Sequence, residues 1–249
     1  MLLSIDHLKG YKISGIDGDI GHVDSFLFED TTWHIRYLVV DTTMFIFGKK
    51  VLLSPHCINS IHVDVLNVEL SVDQIRNSPL IDTDKPVSRQ KEAELHRFYG
   101  WPYYWEGTAP IGVTGATPDV PPMGDFNEPL PENEGDPHLR STGEVIGYWV
   151  NSKTEKPIGI VKDFIANTDD WHMPFSVVET GEKTERKQVL ITTDWIRKIQ
   201  WEKDSVSVTI PERVLNGLKT FNPHEPINSV YEEILYDYYG IPQYRKSYV

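Results

Sequence analysis

Apolar and polar residues alternate in short runs along the first 70 or so positions, and residues that favour turns close each run. Val23-Asp24-Ser25-Phe26-Leu27-Phe28 alternates well enough for a strand with one buried face. Ile16-Asp17-Gly18-Asp19 and Glu29-Asp30-Thr31-Thr32 supply the turns on either side of it. From Trp33 to Val40 β-branched and aromatic residues dominate, which predicts a strand covered on both faces near its end. Another strand begins at Lys49 after Gly48, and Ser54-Pro55 ends it because proline cannot donate to a ladder. Ile58, Ile61, Val63, Val65, Val68 and Leu70 continue in two shorter patterns. Strands so short and closely spaced, about six in all, predict a small antiparallel β-barrel or sandwich.

Helix signals follow the strands. Ser71-Val72-Asp73-Gln74 has capping-box spacing, in which the serine hydroxyl accepts from the amide three residues on and the glutamine reaches back. A longer helix is predicted over Arg89 to Tyr99, with Ser88 as its cap, Gly100 past its end and Pro102 beyond.

The whole arrangement then occurs again. Ile20 to Leu80 maps without a gap onto Ile158 to Leu218 at an offset of 158 − 20 = 138. Ile20-Gly21-His22-Val23 lies over Ile158-Gly159-Ile160-Val161, Trp33-His34 over Trp171-His172, and Lys49, Val51 and Leu52 over Lys187, Val189 and Leu190. Thr209-Ile210-Pro211-Glu212 stands where the first capping box does. A second long helix is predicted over Ser229 to Tyr239, capped by Asn228 and stopped by Gly240 and Pro242. Between the copies, Glu106 to Leu139 holds seven prolines, five glycines and no lysine or arginine. A segment of that composition cannot bury enough apolar surface to offset its ordering entropy and reads as a linker. The expected domains are residues 1–105, a linker at 106–139, and residues 140–249.

Composition narrows the function classes. The formal net charge of −13, with no run of basic residues, disfavours nucleic acid and anionic membrane surfaces as partners. The one cysteine, Cys57, lies among apolar neighbours. It excludes a disulfide framework and suits a reducing compartment. The N-terminal residues lack a signal-peptide pattern, and no segment reaches the apolar length of a membrane span, so a cytoplasmic protein without membrane insertion is expected.

Several of these segments resemble the PRC-barrel family, named after the H subunit of the photosynthetic reaction centre. The likeness rests on Ile20-Gly21-His22-Val23, the run Tyr37 to Asp41, and Gly48-Lys49-Lys50-Val51-Leu52-Leu53-Ser54-Pro55. To these it adds the tail residues Arg89, Glu92, Leu95, His96 and Tyr99-Gly100-Trp101-Pro102-Tyr103-Tyr104-Trp105. It covers most of residues 4–105 and is weaker in the second copy, where Glu182-Lys183-Thr184-Glu185 replaces the apolar hairpin and Thr192-Thr193 replaces Ser54-Pro55. The resemblance implies a mainly β protein of two small antiparallel barrels in tandem, each followed by short helices. It also implies docking modules, with no catalytic residues carried over.

Candidate chemistry is sparse. His34 and His172 occupy matching positions, but no further His, Cys, Asp or Glu stands at ligand spacing, so they read as packing pairs with their tryptophans. Glu92 and His96 share a helical face at i, i+4 and read as a surface pair. Ser54 and Thr192 end strands with no histidine and carboxylate at triad spacing. No catalytic set, metal site or cofactor is expected.

Aromatic residues carry the remaining signal. Phe45, Ile46 and Phe47 make an apolar hairpin tip that either plugs the barrel or meets a partner, and Trp101, Tyr103, Tyr104 and Trp105 pose the same choice. Two function classes follow. One is a non-enzymatic adaptor or assembly module with protein partners and possible self-association. The other is a small-molecule-binding or hydrolytic protein using a cleft between the barrels, which a deep pocket with several perturbed titratable groups would favour.

Overall fold

The computed structural model describes residues 1–43, 49–79, 87–106, 139–181, 186–210, 214, 217–223, 225 and 227. Phe45, Ile46 and Phe47, the tip at Glu182–Glu185, nearly all of the predicted linker and the predicted helix over Ser229–Tyr239 lie outside the described residues.

The chain is mainly β. The first sheet-forming stretch supplies β1 (Leu2–Ser4), β2 (Lys12–Ser14), β3 (Asp19–Glu29), β4 (Ile35–Asp41), β5 (Lys50–Leu53), β6 (Ile58–His62) and β7 (Val65–Val68). The second supplies β8 (Leu139–Ser141), β9 (Trp149–Asn151), β10 (Pro157–Asn167), β11 (Phe175–Thr180), β12 (Lys187–Thr192), β13 (Ile196–Gln200) and β14 (Ser205–Val208). Among the described residues they are accompanied by α1 (Ile5–Leu8), α2 (Val72–Arg76), α3 (Arg89–Tyr99) and α4 (Thr142–Val145). The strands make two seven-stranded sheets with one path, β5-β4-β3-β2-β7-β6 in one and β12-β11-β10-β9-β14-β13 in the other.

Register repeats as faithfully as sequence. β3 pairs with β4 through His22↔Asp41, Val23↔Val40 and Ser25↔Val39. β10 pairs with β11 through Ile160↔Glu179, Val161↔Val178 and Asp163↔Val177, so even the bulge falls at the same place. Gly21 and Gly159 explain part of that constraint. A Cβ on Gly21 would lie 2.1 Å from the Asp41 carbonyl oxygen, and one on Gly159 would lie 2.2 Å from that of Glu179. Since the obstacle is backbone, relaxation must spread along the ladder. Gly21→Ala should therefore cost about 3 kcal/mol in denaturant unfolding, and a loss below about 0.5 kcal/mol would show that the strands part more easily than this register requires.

The predicted pair of closed antiparallel barrels needs correction in two respects. Each sheet contains a parallel ladder, β2 with β7 and β9 with β14, which turn-by-turn reading misses because the partners are far apart in sequence. The sheets also do not close among the described residues, since their paths end at β5 and β6 or at β12 and β13 with no ladder between the ends. The end strands are instead joined by single 3₁₀ turns, Pro55–Cys57 and Thr193–Trp195. Ser54 and Thr192 cap these turns by accepting from the amides of His56 and Asp194.

Several local expectations are met. Ser71 and Gln74 form the reciprocal capping box at the start of α2. Helix α3 runs from Arg89 to Tyr99, with Ser88 accepting from the Lys91 amide and Gly100 left-handed at its end. Strand β4 is buried on both faces from Tyr37 to Val40. Lys49 and its repeat Lys187 both donate to backbone carbonyls beyond the strands, Lys49 to Arg76 and Ser78, Lys187 to Leu218.

Compact units do not coincide with sequence halves. One unit comprises Met1–Leu8 and Thr142–Val249, the other Lys9–Ser141. Strand β1 extends β10 through Leu2↔Asn167, Leu3↔Ala166 and Ser4↔Ile165, while β8 extends β3 through Leu139↔Glu29, Phe28↔Arg140 and Leu27↔Ser141. Each copy thus gives its first strand to the sheet of the other. The two segments match at an offset of 139 − 2 = 137: Leu2-Leu3-Ser4 lies over Leu139-Arg140-Ser141, and Gly10-Tyr11 over Gly147-Tyr148. Both donated strands enter apolar cores. Leu2 packs with Ile165, Phe175, Val177, Leu190 and Phe221, and Leu139 packs with Leu27, Tyr37, Val39, Leu52, Val87 and Leu95.

Candidate functional site

The Lys9–Ser141 unit encloses one extended polar cluster, built between β4 and α3. Alternation along β4 turns Tyr37 toward α3 with Val39 and away from Leu38. Helix α3 answers with Glu92 and His96, one turn apart on its inner face. Gly100 then reverses the chain, and the Trp101 amide donates to the His96 carbonyl at 2.9 Å, which lays Trp101–Trp105 back over the helix. Glu92 is 2% exposed and His96 1% exposed. The sequence pattern placed this pair at the surface; the structure buries it, because β4 presents a tyrosine hydroxyl that needs polar partners.

Hydrogen bonds link every member. The Tyr37 hydroxyl lies 3.0 Å from Glu92 Oε2 and 2.7 Å from His96 Nε2. Tyr104 donates to Glu92 Oε2 at 2.5 Å, and Arg89 donates to the Tyr104 hydroxyl at 2.8 Å while pairing with Glu92 Oε1 at 3.2 Å. His96 Nδ1 is 2.8 Å from the Pro102 carbonyl, so Nδ1 carries a proton and donates there. Around the edge, Arg36 stacks on the Tyr104 ring at 4.2 Å and donates to Glu29, and Arg89 lies over Trp105 at 4.4 Å.

Proton bookkeeping in this cluster is tight. In a neutral imidazole Nε2 is an acceptor, so the single Tyr37 proton faces two acceptors, Nε2 and Glu92 Oε2. Both contacts become hydrogen bonds when one further proton is present, either on Glu92 or on Nε2. Burial raises the Glu92 pKa against the pull of Tyr104 and Arg89, and burial lowers that of His96 to about 4. The uncharged arrangement, with the proton on Glu92, is favoured over the ion pair. Burial also holds Tyr37 and Tyr104 well above the usual phenol range, so both remain donors.

Of the residues singled out in the sequence, Trp101, Tyr103, Tyr104 and Trp105 are brought together here, half-buried, with their rings 5.2 to 6.0 Å from His96. Tyr37, Arg36, Arg89 and Glu29 belong to the same cluster, and motif reading misses the role of all four. A signal for it exists inside the chain: the second copy has Phe175 where the first has Tyr37, and Tyr236 in the place of His96.

His34 and His172 sit elsewhere, each beside a buried tryptophan with a left-handed backbone, Trp33 at φ 58° and Trp171 at φ 60°. The Trp33 and Trp171 amides donate to the Glu29 and Asn167 carbonyls in equivalent turns, and His34 Nδ1 faces the Thr32 carbonyl at 3.0 Å. Among the described residues no group of three or more His, Cys, Asp or Glu side chains converges. Nor is any helix there long and apolar enough to cross a membrane. Burial pushes the Cys57 thiol up to about 12, and its Sγ donates to the Ser54 carbonyl, so it is a packing residue.

No protein-family model matches this chain, and no curated protein matches it either.

Proposed function

We propose that this chain is a non-enzymatic protein-binding module of two PRC-barrel-like units, docking a protein partner on the sheet face around Trp149. The observation that carries this reading is an exposed indole in a strand. Trp149 in β9 is 51% exposed, and half-buried Ile160 lies directly opposite it on β10, so both side chains stand on one face. The equivalent pair in the other unit is Lys12 opposite His22. One copy keeps this face polar, and the other presents a tryptophan beside an isoleucine, the side-chain type that centres protein interfaces. A chain of net charge −13 suits a partner with an apolar pocket for the indole and a basic rim, which favours encounter electrostatically.

The buried cluster supports the same reading. Glu92 and His96 are closed to solvent and satisfied by neighbours, so the acid and imidazole fix α3 on β4 and have no open face toward a substrate. A small-molecule or hydrolytic role has no comparable observation in its favour.

The test compares the native chain with Trp149→Ser and with Lys12→Ser as a matched control. A partner captured by quantitative cross-linking, identified and purified, should bind the native chain and Lys12→Ser alike and lose at least tenfold in affinity for Trp149→Ser, about the 1.4 kcal/mol or more expected of a central tryptophan. Equal affinity for all three would remove Trp149 from the interface and this reading with it.

A further inference from the structure

The reciprocal strand exchange has a chemical counterpart on β10. The segment Leu2–Leu8 is held there by three ladder pairs, by the buried side chains of Leu2, Ile5 and Leu8, and by Asp163. The Ser4 hydroxyl donates to Asp163 Oδ2, and the Asp6 amide donates to Oδ1 at 3.1 Å. Ser4 in turn accepts from the His7 amide at 3.1 Å, which shapes the turn into α1. In the other unit the residue matching Asp163 is Ser25, so the carboxylate is particular to this site.

We propose that β10 with Asp163 is a strand-acceptor site, and that the Leu2–Leu8 segment of a second copy of this chain can fill it in place of the chain's own. Its ligand is an extended peptide with Leu, Ser, Ile and Leu at the positions of Leu2, Ser4, Ile5 and Leu8. Three observations lead to a second copy. None of the segment's bonds depends on covalent continuity with β10, since Ser4 and its ladder partner Ile165 are 165 − 4 = 161 residues apart. The same exchange occurs at β8 and β3 in the same register, so a strand from a distant part of the chain is the normal occupant of both sheets. Finally, the chain leaves this unit immediately after Leu8, at Lys9-Gly10. Gly10 has φ +81° and open space where a Cβ would be, so the backbone there can redirect the segment without a steric barrier. Strand exchange of this kind competes with internal closure as protein concentration approaches the effective concentration of the tethered segment, on the order of millimolar.

Leu3 and Ala166 are directly opposed in the ladder, a separation that a disulfide can bridge. Leu3→Cys and Ala166→Cys are made on separate chains, mixed at about 200 µM, incubated and oxidised. Buried Cys57 does not compete. A cross-linked pair should form in the mixture at least fivefold over either variant alone, while the chain carrying both substitutions closes internally as a monomer. A mixture no richer in cross-linked pairs than the single variants, with the double variant closing internally, would overturn the proposal, as would a double variant that fails to close. Should Ala166→Cys unfold the chain, sedimentation of the unmodified protein decides: a dimer fraction that grows with concentration and falls severalfold when a synthetic Met1–Leu8 peptide is added in millimolar excess supports exchange, and a monomer up to about 500 µM, or a dimer indifferent to the peptide, refutes it.

Discussion

Replacing Glu92 with alanine should destabilise the Lys9–Ser141 unit by about 4 kcal/mol. The carboxyl accepts from Tyr104 and Arg89 and shares a proton contact with Tyr37, so truncation strands the Tyr104 proton, leaves Tyr37 with His96 alone, and removes the charge partner of Arg89. A cavity in the α3 contact adds to that loss. Unfolding followed by tryptophan fluorescence reports on the right region, because Trp101 and Trp105 pack on His96.

Glu92→Gln separates two accounts of the same cluster. If the proton resides on Glu92, an amide nitrogen at the Oε2 position reproduces the donor toward Tyr37 while the amide oxygen keeps Arg89, and only the Tyr104 proton loses its acceptor, so the cost should stay at about 2 kcal/mol. If Glu92 is instead ionised and bound to Arg89 chiefly by charge, glutamine should cost nearly as much as alanine. A glutamine variant as unstable as alanine would thus refute the uncharged arrangement.

How much of this was legible in the sequence depends on the range of the interaction involved. The strands, the Ser71 capping box, the Ser88 cap and the Gly100 stop follow from contacts within a few residues, and the unbroken offset of 138 carried the β3–β4 register from one copy to the other. The parallel ladders and the strand exchange depend on partners more than 50 residues away, and no local pattern names the sheet a three-residue strand will join. A one-residue difference in the β2–β3 and β9–β10 turns also shifts the offset from 137 to 138, which hides the equivalence of Leu2 and Leu139 from a gapless comparison.

The polar cluster was hidden for a different reason. Charged residues at i, i+4 on a helix usually face water, and only the hydroxyl of Tyr37 inverts that expectation for Glu92 and His96. Comparison of the copies carried the clue, since Phe175 lacks the hydroxyl and no histidine follows at the matching helix position. Where a phenol is lost together with its imidazole partner, the two were serving one hydrogen-bonded arrangement.

The cluster should make the Lys9–Ser141 unit sensitive to acid. Burial holds the His96 pKa at about 4 in the folded chain, against 6.5 for an ordinary histidine. Between those values the unfolded chain binds the proton and the folded chain does not, so stability is fully present above about pH 6.5 and is lost as pH falls toward 4. Each pH unit in that window costs about 1.4 kcal/mol, or about 2 kcal/mol at pH 5. His56, also lowered by burial and then by Arg36, acts with the same sign. Glu92 acts oppositely: its folded pKa is raised above 4.5, so protonation favours the folded state there, and this contribution is lost as pH rises through the folded value. Denaturant unfolding at pH 7 and pH 5 should show the native chain losing about 2 kcal/mol more than His96→Gln, whatever that substitution costs at pH 7. Parallel losses in the two proteins would mean that His96 is already protonated in the fold, with Nε2 donating to Tyr37 and Glu92 carrying the charge.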